Sequence, residues 1–357
     1  MNPPLPSSID AADGTGRSGL RRSTAVLVTG AGGEMGHAVL RELAERRINA
    51  VAIDIRELDP DTRALCRDAF IGDICDPGLL DRLLASYEID EIHHLAALLS
   101  TRGEFAPETA HRVNVGGTLN LLHLAAEQAR THGRTVRFLF PSSIAVYGVP
   151  DLATKRRAGR VREDQFLEPR TMYGVNKLEG EHLGRYYERH YRLLAKDRTP
   201  MPVDFRSIRF PGILSAETVP SGGTSDYGPE MIHAAASGRA YACFVRPDTR
   251  IPFTTMPEAI RALLELAAAP KQSLSRIVYN IGGFSPSAEE FRLLAERAFP
   301  GAEVSFAPDA GRQSIVDSWP EDVDDSAARK DWGWAPTHTL ESAFEEYLAP
   351  SVRSRYA

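Results

Sequence analysis

The stretch AVLVTGAGGEMGHAVL, residues 25–40, restricts the fold more than any other part of this sequence. An apolar run rich in valine leads straight into Gly30, Gly33 and Gly36, and a helically spaced segment starts at once behind them. The spacing GxxGxxG between a strand and a helix has a mechanical reading. The first glycine permits a tight turn, the second lets backbone approach a pyrophosphate, and the third allows the helix to pack closely on the strand. A helix beginning there aims unpaired N–H groups and a partial positive charge at the phosphates. Gly30, Gly33, Glu34, Met35 and Gly36 are therefore assigned to a dinucleotide.

The same alternation of a short apolar run, a turn and a longer helical stretch continues along the chain. It predicts an α/β fold built on a parallel, doubly wound sheet. The expected strands are 25–30, 49–54, 69–73, 91–97, 136–143, 203–210 and 276–282, with helices at 34–46, at 108–131 and from near Tyr173. The spacing is irregular between the last two strands and again after Gly283. The expected organisation is thus a dinucleotide-binding domain over 24–213, to which strand 276–282 returns, and a smaller substrate lobe from 214–275 and 283–357. Residues 1–23, rich in Pro, Ser, Gly and Asp, are expected to be a disordered tail.

Composition excludes several classes. With 43% apolar residues, 25% charged residues and a net charge of -6, the chain suits a soluble globular protein and gives nucleic acid no electrostatic reason to bind. The three cysteines form no CxxC pair, so neither a disulfide framework, a structural zinc site nor any other metal is expected, and a reducing cytoplasm fits. No run of about 18 apolar residues suggests a membrane span. Arg21-Arg22 ahead of the first strand resembles a twin-arginine signal, but the apolar run is too short for one. The basic run KRRAGRVRED, 155–164, is expected to be a solvated surface loop.

Asp54 closes the second strand, where a carboxylate accepts hydrogen bonds from ribose hydroxyls and repels a 2′-phosphate, so the expected cofactor is NAD. Ile55 and Arg56 follow it, and Asp73 with Ile74 ends the third strand within reach of an adenine; a helix-capping role for Asp73 is the alternative. Tyr173 and Lys177 stand four apart on a helix and share a face. A tyrosine titrates near about 10, so a neighbouring ammonium and an oxidised nicotinamide are needed to make it a base near neutrality. Ser143, at the end of the fifth strand, can hold the oxygen that Tyr173 deprotonates, and Asn114 can orient a relay water or the lysine.

GxxGxxG, HLAA, N114VGGT, PSSIAVYG and YGxxK together resemble the extended short-chain dehydrogenase/reductase family. That resemblance implies a Rossmann domain with a smaller C-terminal substrate-binding lobe, and a family fold alone does not fix the reaction. HLAALLSTRGE, RFPGILS, GGTSDY, RQSIVDSWP and DDSAARKDWGW are similar to the family's short-chain-type L-threonine 3-dehydrogenase branch. The branch implies NAD-dependent oxidation of the β-hydroxyl of an amino acid, in a cytoplasmic homodimer paired through helices 108–131 and 173–195. By the same resemblance Leu95, Ala96, Ala97, Pro211 and Ile213 lie along the cofactor, with Tyr173 and Lys177. Ser100, Ser143, Tyr173, Gly212, Thr224, Ser225, Asp226 and Trp319 are implied on the substrate side.

Several residues depart from the branch pattern: Ser225, Phe210, Thr254, Thr255, and a longer segment over 149–168 that is expected to overhang the site. They motivate another β-hydroxy-α-amino acid as the alternative substrate. A nucleotide-sugar epimerase is disfavoured, because Arg250 is followed by Ile-Pro-Phe and lacks a companion aspartate for diphosphate recognition. A non-catalytic NAD-binding regulator would have no use for Ser143, Tyr173 and Lys177 together.

Overall fold

The computed structural model describes residues 22–220 and 222–357. The tail expected over 1–23 lies almost wholly outside the described residues, but Ser23 belongs to the first strand, which starts two positions earlier than expected. Seven strands form the central sheet: β1 Ser23–Thr29, β2 Ala50–Asp54, β3 Asp68–Ile71, β4 Tyr87–His94, β5 Val136–Ser143, β6 Val203–Phe210 and β7 Val278–Asn280. Their order is β7-β6-β5-β4-β1-β2-β3, and every neighbouring pair is parallel. The order reverses between β1 and β4, and in such sheets ligands bind outside the carboxyl ends at that switch point.

Period-two alternation divides the sheet's side chains between two cores. Ala25 and Leu27 of β1 face one, with helices Pro77–Ser86 and Gly117–His132; Val26 and Val28 face the other, with helices Glu34–Glu45 and Met256–Ala268. All eight residues of β6 are buried, as expected for a strand covered on both faces.

Helix Met172–Arg189 lies unusually close to the sheet because it lacks side chains where it crosses it. A Cβ on Gly180 would sit 2.4 Å from Phe140 Cζ, and one on Gly184 would sit 2.3 Å from Phe205. The helix ends at Arg189 rather than 195, and the chain turns through Arg192 with φ 51. The helix expected over 108–131 is interrupted: Pro107–His111, a π-helical turn Arg112–Gly116 and then Gly117–His132. Such turns are rare and concentrate at functional sites.

A third core gathers Ile144–Tyr147 and Val161 with residues from Leu214 to Phe253 and from Ala288 to Val352. It is framed by paired strands, Gly212–Leu214 with Phe253–Thr255 and Tyr241–Cys243 with Val304–Phe306. Segment 155–164 corrects the sequence expectation in part, because its outer charges are exposed but it is a strut and not a loop. Residues Leu152–Ala158 form a helix and Arg160–Val161 pairs with Asp322–Val323. Lys155 is 2% exposed and donates to Val316 O at 3.1 Å, while Glu163 Oε1 accepts from Asn280 N at 3.1 Å. Lys155 and Glu163 thus have partners far away in sequence, while Arg156, Arg157 and Arg162 remain exposed. Among the described residues no helix is long and apolar enough to cross a membrane, and no cluster of His, Cys, Asp and Glu has metal-binding geometry.

Candidate active site

The glycine loop leaves β1 at Gly30, whose φ of 67 is open to glycine. A Cβ there would lie 2.7 Å from Ala96 N, so Gly30 also lets the Leu95-Ala96-Ala97 segment close in from β4. A Cβ on Gly36 would meet Gly30 O at 2.3 Å, which keeps helix Glu34–Glu45 against the loop. Asp54, buried at the end of β2, accepts from Gly32 N at 2.9 Å on one oxygen and from Arg56 N at 3.1 Å on the other. These bonds fix the loop while leaving the carboxylate further lone pairs. A backbone cradle cleared of side chains, a helix N-terminus and a fixed carboxylate fit a dinucleotide with free ribose hydroxyls.

The other expected cofactor residues are placed less uniformly. The Glu34 carboxylate accepts from the hydroxyls of Ser215 and Thr218, tying the glycine loop to the segment beyond Gly212–Leu214. Asp73 Oδ1 accepts from Cys75 N at 2.9 Å, whereas the cap of helix Pro77–Ser86 is Asp76, so the capping alternative for Asp73 does not apply. Ile74 is buried against Gly117 with its carbonyl accepting from Asn120 Nδ2 at 3.2 Å, and Ile55 is largely exposed. Pro211 follows β6, and Gly212 and Ile213 continue into the short strand beside Phe253–Thr255.

Tyr173 and Lys177 occupy the first turns of helix Met172–Arg189, which Thr171 caps through Gly174 N at 3.1 Å. Glu104 adds a bond from Met172 N at 2.7 Å. Gly174 brings this helix onto the turn after Ser143, since a Cβ there would lie 2.1 Å from Ala145 O. Ser143 Oγ accepts from Ala145 N at 3.1 Å, which holds its hydroxyl at the end of β5. Lys177 Nζ donates to Pro141 O at 2.6 Å and lies 5.5 Å from the centre of the Tyr173 ring. Burial pushes Lys177 down to about 8 despite the opposing charge of Glu181, and burial pushes the Tyr173 phenol up to about 12. Burial is the cause of the phenol's shift, and the lowering expected from the lysine does not appear.

Asn114 sits in the π-helical turn, with Leu98 N donating to its Oδ1 at 2.7 Å and its Nδ2 donating to Leu98 O at 3.0 Å. Both ends of the amide thus clamp the segment between β4 and helix Ser100–Phe105. A Cβ on Gly103 in that helix would be 3.9 Å from Tyr173 Cβ. Thr101 Oγ1 donates to Gly222 O at 2.9 Å, and Thr224 Oγ1 lies 3.4 Å from Ser100 Oγ. Ser100, Thr224, Ser225 and Asp226 are thereby brought to one end of the sheet with Tyr173. Asp226 Oδ2 accepts from Gly223 N at 2.6 Å.

Other expected features are buried. Trp319 is 4% exposed within the third core, against which Tyr173 also packs. Thr254 and Thr255 are fully buried, with hydroxyls beside Glu258 and His338, so they fill the interior. Trp334 and Trp332 pack on the sheet's other core. A cavity of about 630 Å³ lies at the opposite, amino end of the strands and is crossed by the pairs Arg134–Asp90 and Arg137–Glu91.

His94 was not singled out in the sequence, although it stands in HLAA. Ala96 N donates to Thr29 Oγ1 at 3.3 Å, and Thr29 Oγ1 lies 3.0 Å from His94 Nδ1. His94 Nε2 is 2.9 Å from Thr118 Oγ1, which spends its proton on Asn114 O at 2.5 Å. The hydroxyl of Thr118 must then accept, so the ring carries its proton on Nε2. Burial, joined by the charge of Lys177, pushes His94 down to about 3 and keeps it neutral. A directed chain of bonds thus locks β1, β4 and the π-helical turn beneath the cleft.

A parallel switch-point sheet with a glycine cradle and a Ser/Tyr/Lys group at the same end defines an NAD-dependent oxidoreductase acting on CH–OH groups. The chain belongs to the NAD dependent epimerase/dehydratase family, whose model matches residues 26–282. Among its relatives, the "L-threonine 3-dehydrogenase, mitochondrial" of Bos taurus is 37% identical over 319 residues, covering 87% of this chain and 78% of that protein. An "uncharacterized epimerase/dehydratase" of Staphylococcus haemolyticus is 33% identical, over 90% of this chain and 96% of its own. The solved holo form of a GalE-like L-threonine dehydrogenase from Cupriavidus necator superposes with a TM-score of 0.78 at 33% identity, over 93% of this chain and all of that one, 100%.

Proposed function

We propose that the protein oxidises the β-hydroxyl of L-threonine to 2-amino-3-oxobutanoate. The observation that carries this reading is the meeting of Ser100 and Thr101 with the Gly222–Asp226 loop beside the Tyr173 helix. It gathers hydroxyls, backbone donors and one carboxylate, the groups a small zwitterion needs. The names of the relatives described above agree with it. NAD supplies the hydride acceptor and, when oxidised, a positive ring charge that favours the phenolate.

In this reading Tyr173 takes the proton of the substrate hydroxyl and Ser143 holds the substrate oxygen. Lys177, anchored on Pro141 O, adds positive charge behind the phenol and offers donors to a ribose. Asp226 receives the ammonium, while Ser100 and Thr224 face the carboxylate. Asn114 fixes the wall of the site through Leu98. A nucleotide-sugar substrate is disfavoured because Arg250 is spent on Ser285 O at 2.7 Å and on Glu290 at 2.8 Å.

The test is NADH formation from NAD with a panel of β-hydroxy amino acids. Turnover of L-threonine is the expected result. Turnover only of a bulkier analogue would replace the substrate, and turnover only of UDP-sugars would overturn the reaction. A cytoplasmic homodimer paired through Gly117–His132 and Met172–Arg189 completes the proposal. Leu119, Val175 and Tyr186 on those helices are each at least 40% exposed, as an uncovered interface would leave them. A monomeric mass by light scattering would refute the dimer.

A further inference from the structure

The Gly222 carbonyl is where the two lobes of the protein grip the same atom. Thr101, on helix Ser100–Phe105, donates to it from the dinucleotide side at 2.9 Å. Arg312, on helix Ala310–Asp317 of the second lobe, reaches it at 3.4 Å and donates to the next carbonyl, Gly223 O, at 2.7 Å. The guanidinium carbon lies 3.1 Å from the centre of the Phe244 ring, and the nearest carboxylate paired with it, Glu230, is 3.9 Å away. The strongest bonds of Arg312 thus go to loop carbonyls rather than to an acid.

We propose that Arg312 and Thr101 are positioning residues that set the amino-acid loop, acting through this shared carbonyl. A trans peptide directs its C=O and the following N–H to opposite sides. With Gly222 O turned to Thr101 and Arg312, Gly223 N–H faces away, and it is found on Asp226 Oδ2 at 2.6 Å. With Gly223 O also held by Arg312, the Thr224 N–H is turned away from Arg312 in the same manner. The two donors therefore decide which way the loop's N–H groups and the Asp226 carboxylate are presented. The φ of 86 at Gly222 leaves that residue free to adopt other conformations once the donors are gone. A planar guanidinium can hold successive carbonyls, whereas an ammonium is a point donor.

The inference rests on the amino-acid reading of the site and is tested apart from it. The variants are Arg312→Met, Arg312→Lys and, from the other lobe, the isosteric Thr101→Val. Losing charged hydrogen bonds to the loop should raise KM for the amino acid roughly tenfold in Arg312→Met, with kcat changed less than about threefold and the NADH dissociation constant unchanged. Lysine should restore part of the KM, and Thr101→Val should shift KM in the same direction by less. Amide hydrogen exchange at Gly223 and Thr224, read without substrate, should speed up in Arg312→Met and in Thr101→Val. An unchanged exchange rate in both variants would overturn the proposal, as would kcat and NADH affinity falling together with KM. Wild-type protein that turns over no amino acid would remove the reading of the site, while the exchange measurement would still decide the role of Arg312 and Thr101.

Discussion

Glu181→Gln should destabilise the protein far more than a one-atom change suggests. Glu181 and Arg209 are 1% and 2% exposed, and they meet through two bonds, Arg209 Nε to Oε1 at 2.8 Å and Nη2 to Oε2 at 2.6 Å. Ser142 donates to the same carboxylate at 2.6 Å, and Arg209 Nη1 reaches Glu163 O at 2.7 Å and Tyr147 OH at 3.0 Å. The pair sits one helical turn beyond Lys177 and fastens the catalytic helix to β5 and β6. A glutamine keeps one acceptor but sets an amide donor against a guanidinium donor, leaving a buried cation without its counter-charge. Breaking a buried pair from one side costs about 3–5 kcal/mol. For a chain of 357 residues that is a fall in melting temperature of about 4–7 °C. Scanning calorimetry checks it, with Arg160→Ala as control, because the Arg160–Asp322 pair at 3.0 Å is 63% and 30% exposed and is worth less than about 1 kcal/mol. Melting of Glu181→Gln within about 2 °C of the parent would refute the reasoning. The double change Glu181→Leu with Arg209→Met should recover only part of the loss, because Ser142 and the Glu163 carbonyl then lack partners.

Tyr173→Phe should abolish turnover and leave NADH binding, followed by fluorescence titration, nearly unchanged; retained turnover would remove Tyr173 from the chemistry. Burial acts to raise Glu91, but the hydrogen bond from His93 at 2.6 Å and the Arg137 guanidinium more than offset it and hold Glu91 at about 2. A depressed carboxyl stabilises the fold fully above its unfolded value of 4.5 and loses that contribution as pH falls toward about 2. Urea midpoints recorded across that window should fall less steeply with acid in Glu91→Gln than in the parent, and equal slopes would contradict the assignment.

The sheet was legible because its signals are local. Apolar runs and the GxxGxxG spacing mark the sheet without reference to distant residues, and β5 and β6 fall where expected, whereas β4 runs Tyr87–His94 instead of 91–97. The faults arose where structure depends on partners remote in sequence. Lys155 reads as a surface charge until Val316 O is placed beside it, and Arg160–Val161 reads as loop until Asp322–Val323 pairs with it. The helix around Asn114 gave no sign of its π-helical turn, whose purpose is a clamp on Leu98 made by tertiary contact. Within the site, Ser143, Tyr173 and Lys177 were visible as residue types at telling positions. His94 and Arg312 were not, because each acts on hydroxyls or backbone carbonyls that no sequence spacing reveals. The phenol's position near 12 was equally hidden, since burial is a property of the assembled cleft.

The return of the chain to the sheet at Val278–Asn280 also governs how such a protein is made. A ribosome delivers β6 well before the strand that lies beside it, and the chain between them goes mainly to the third core and to helix Met256–Ala268 over the sheet. The nascent sheet therefore carries an unfinished border until residue 280 has left the exit tunnel. Asn280 then joins Tyr147 OH at 2.7 Å and Val161 O at 3.0 Å, contacts on segments synthesised long before. Completion of the sheet consequently begins the attachment of the strut, which Val316 and Asp322–Val323 finish later still. An exchange of the third core's segments between relatives cannot be made as a single cassette, since any seam placed before residue 278 takes the closing strand with the graft.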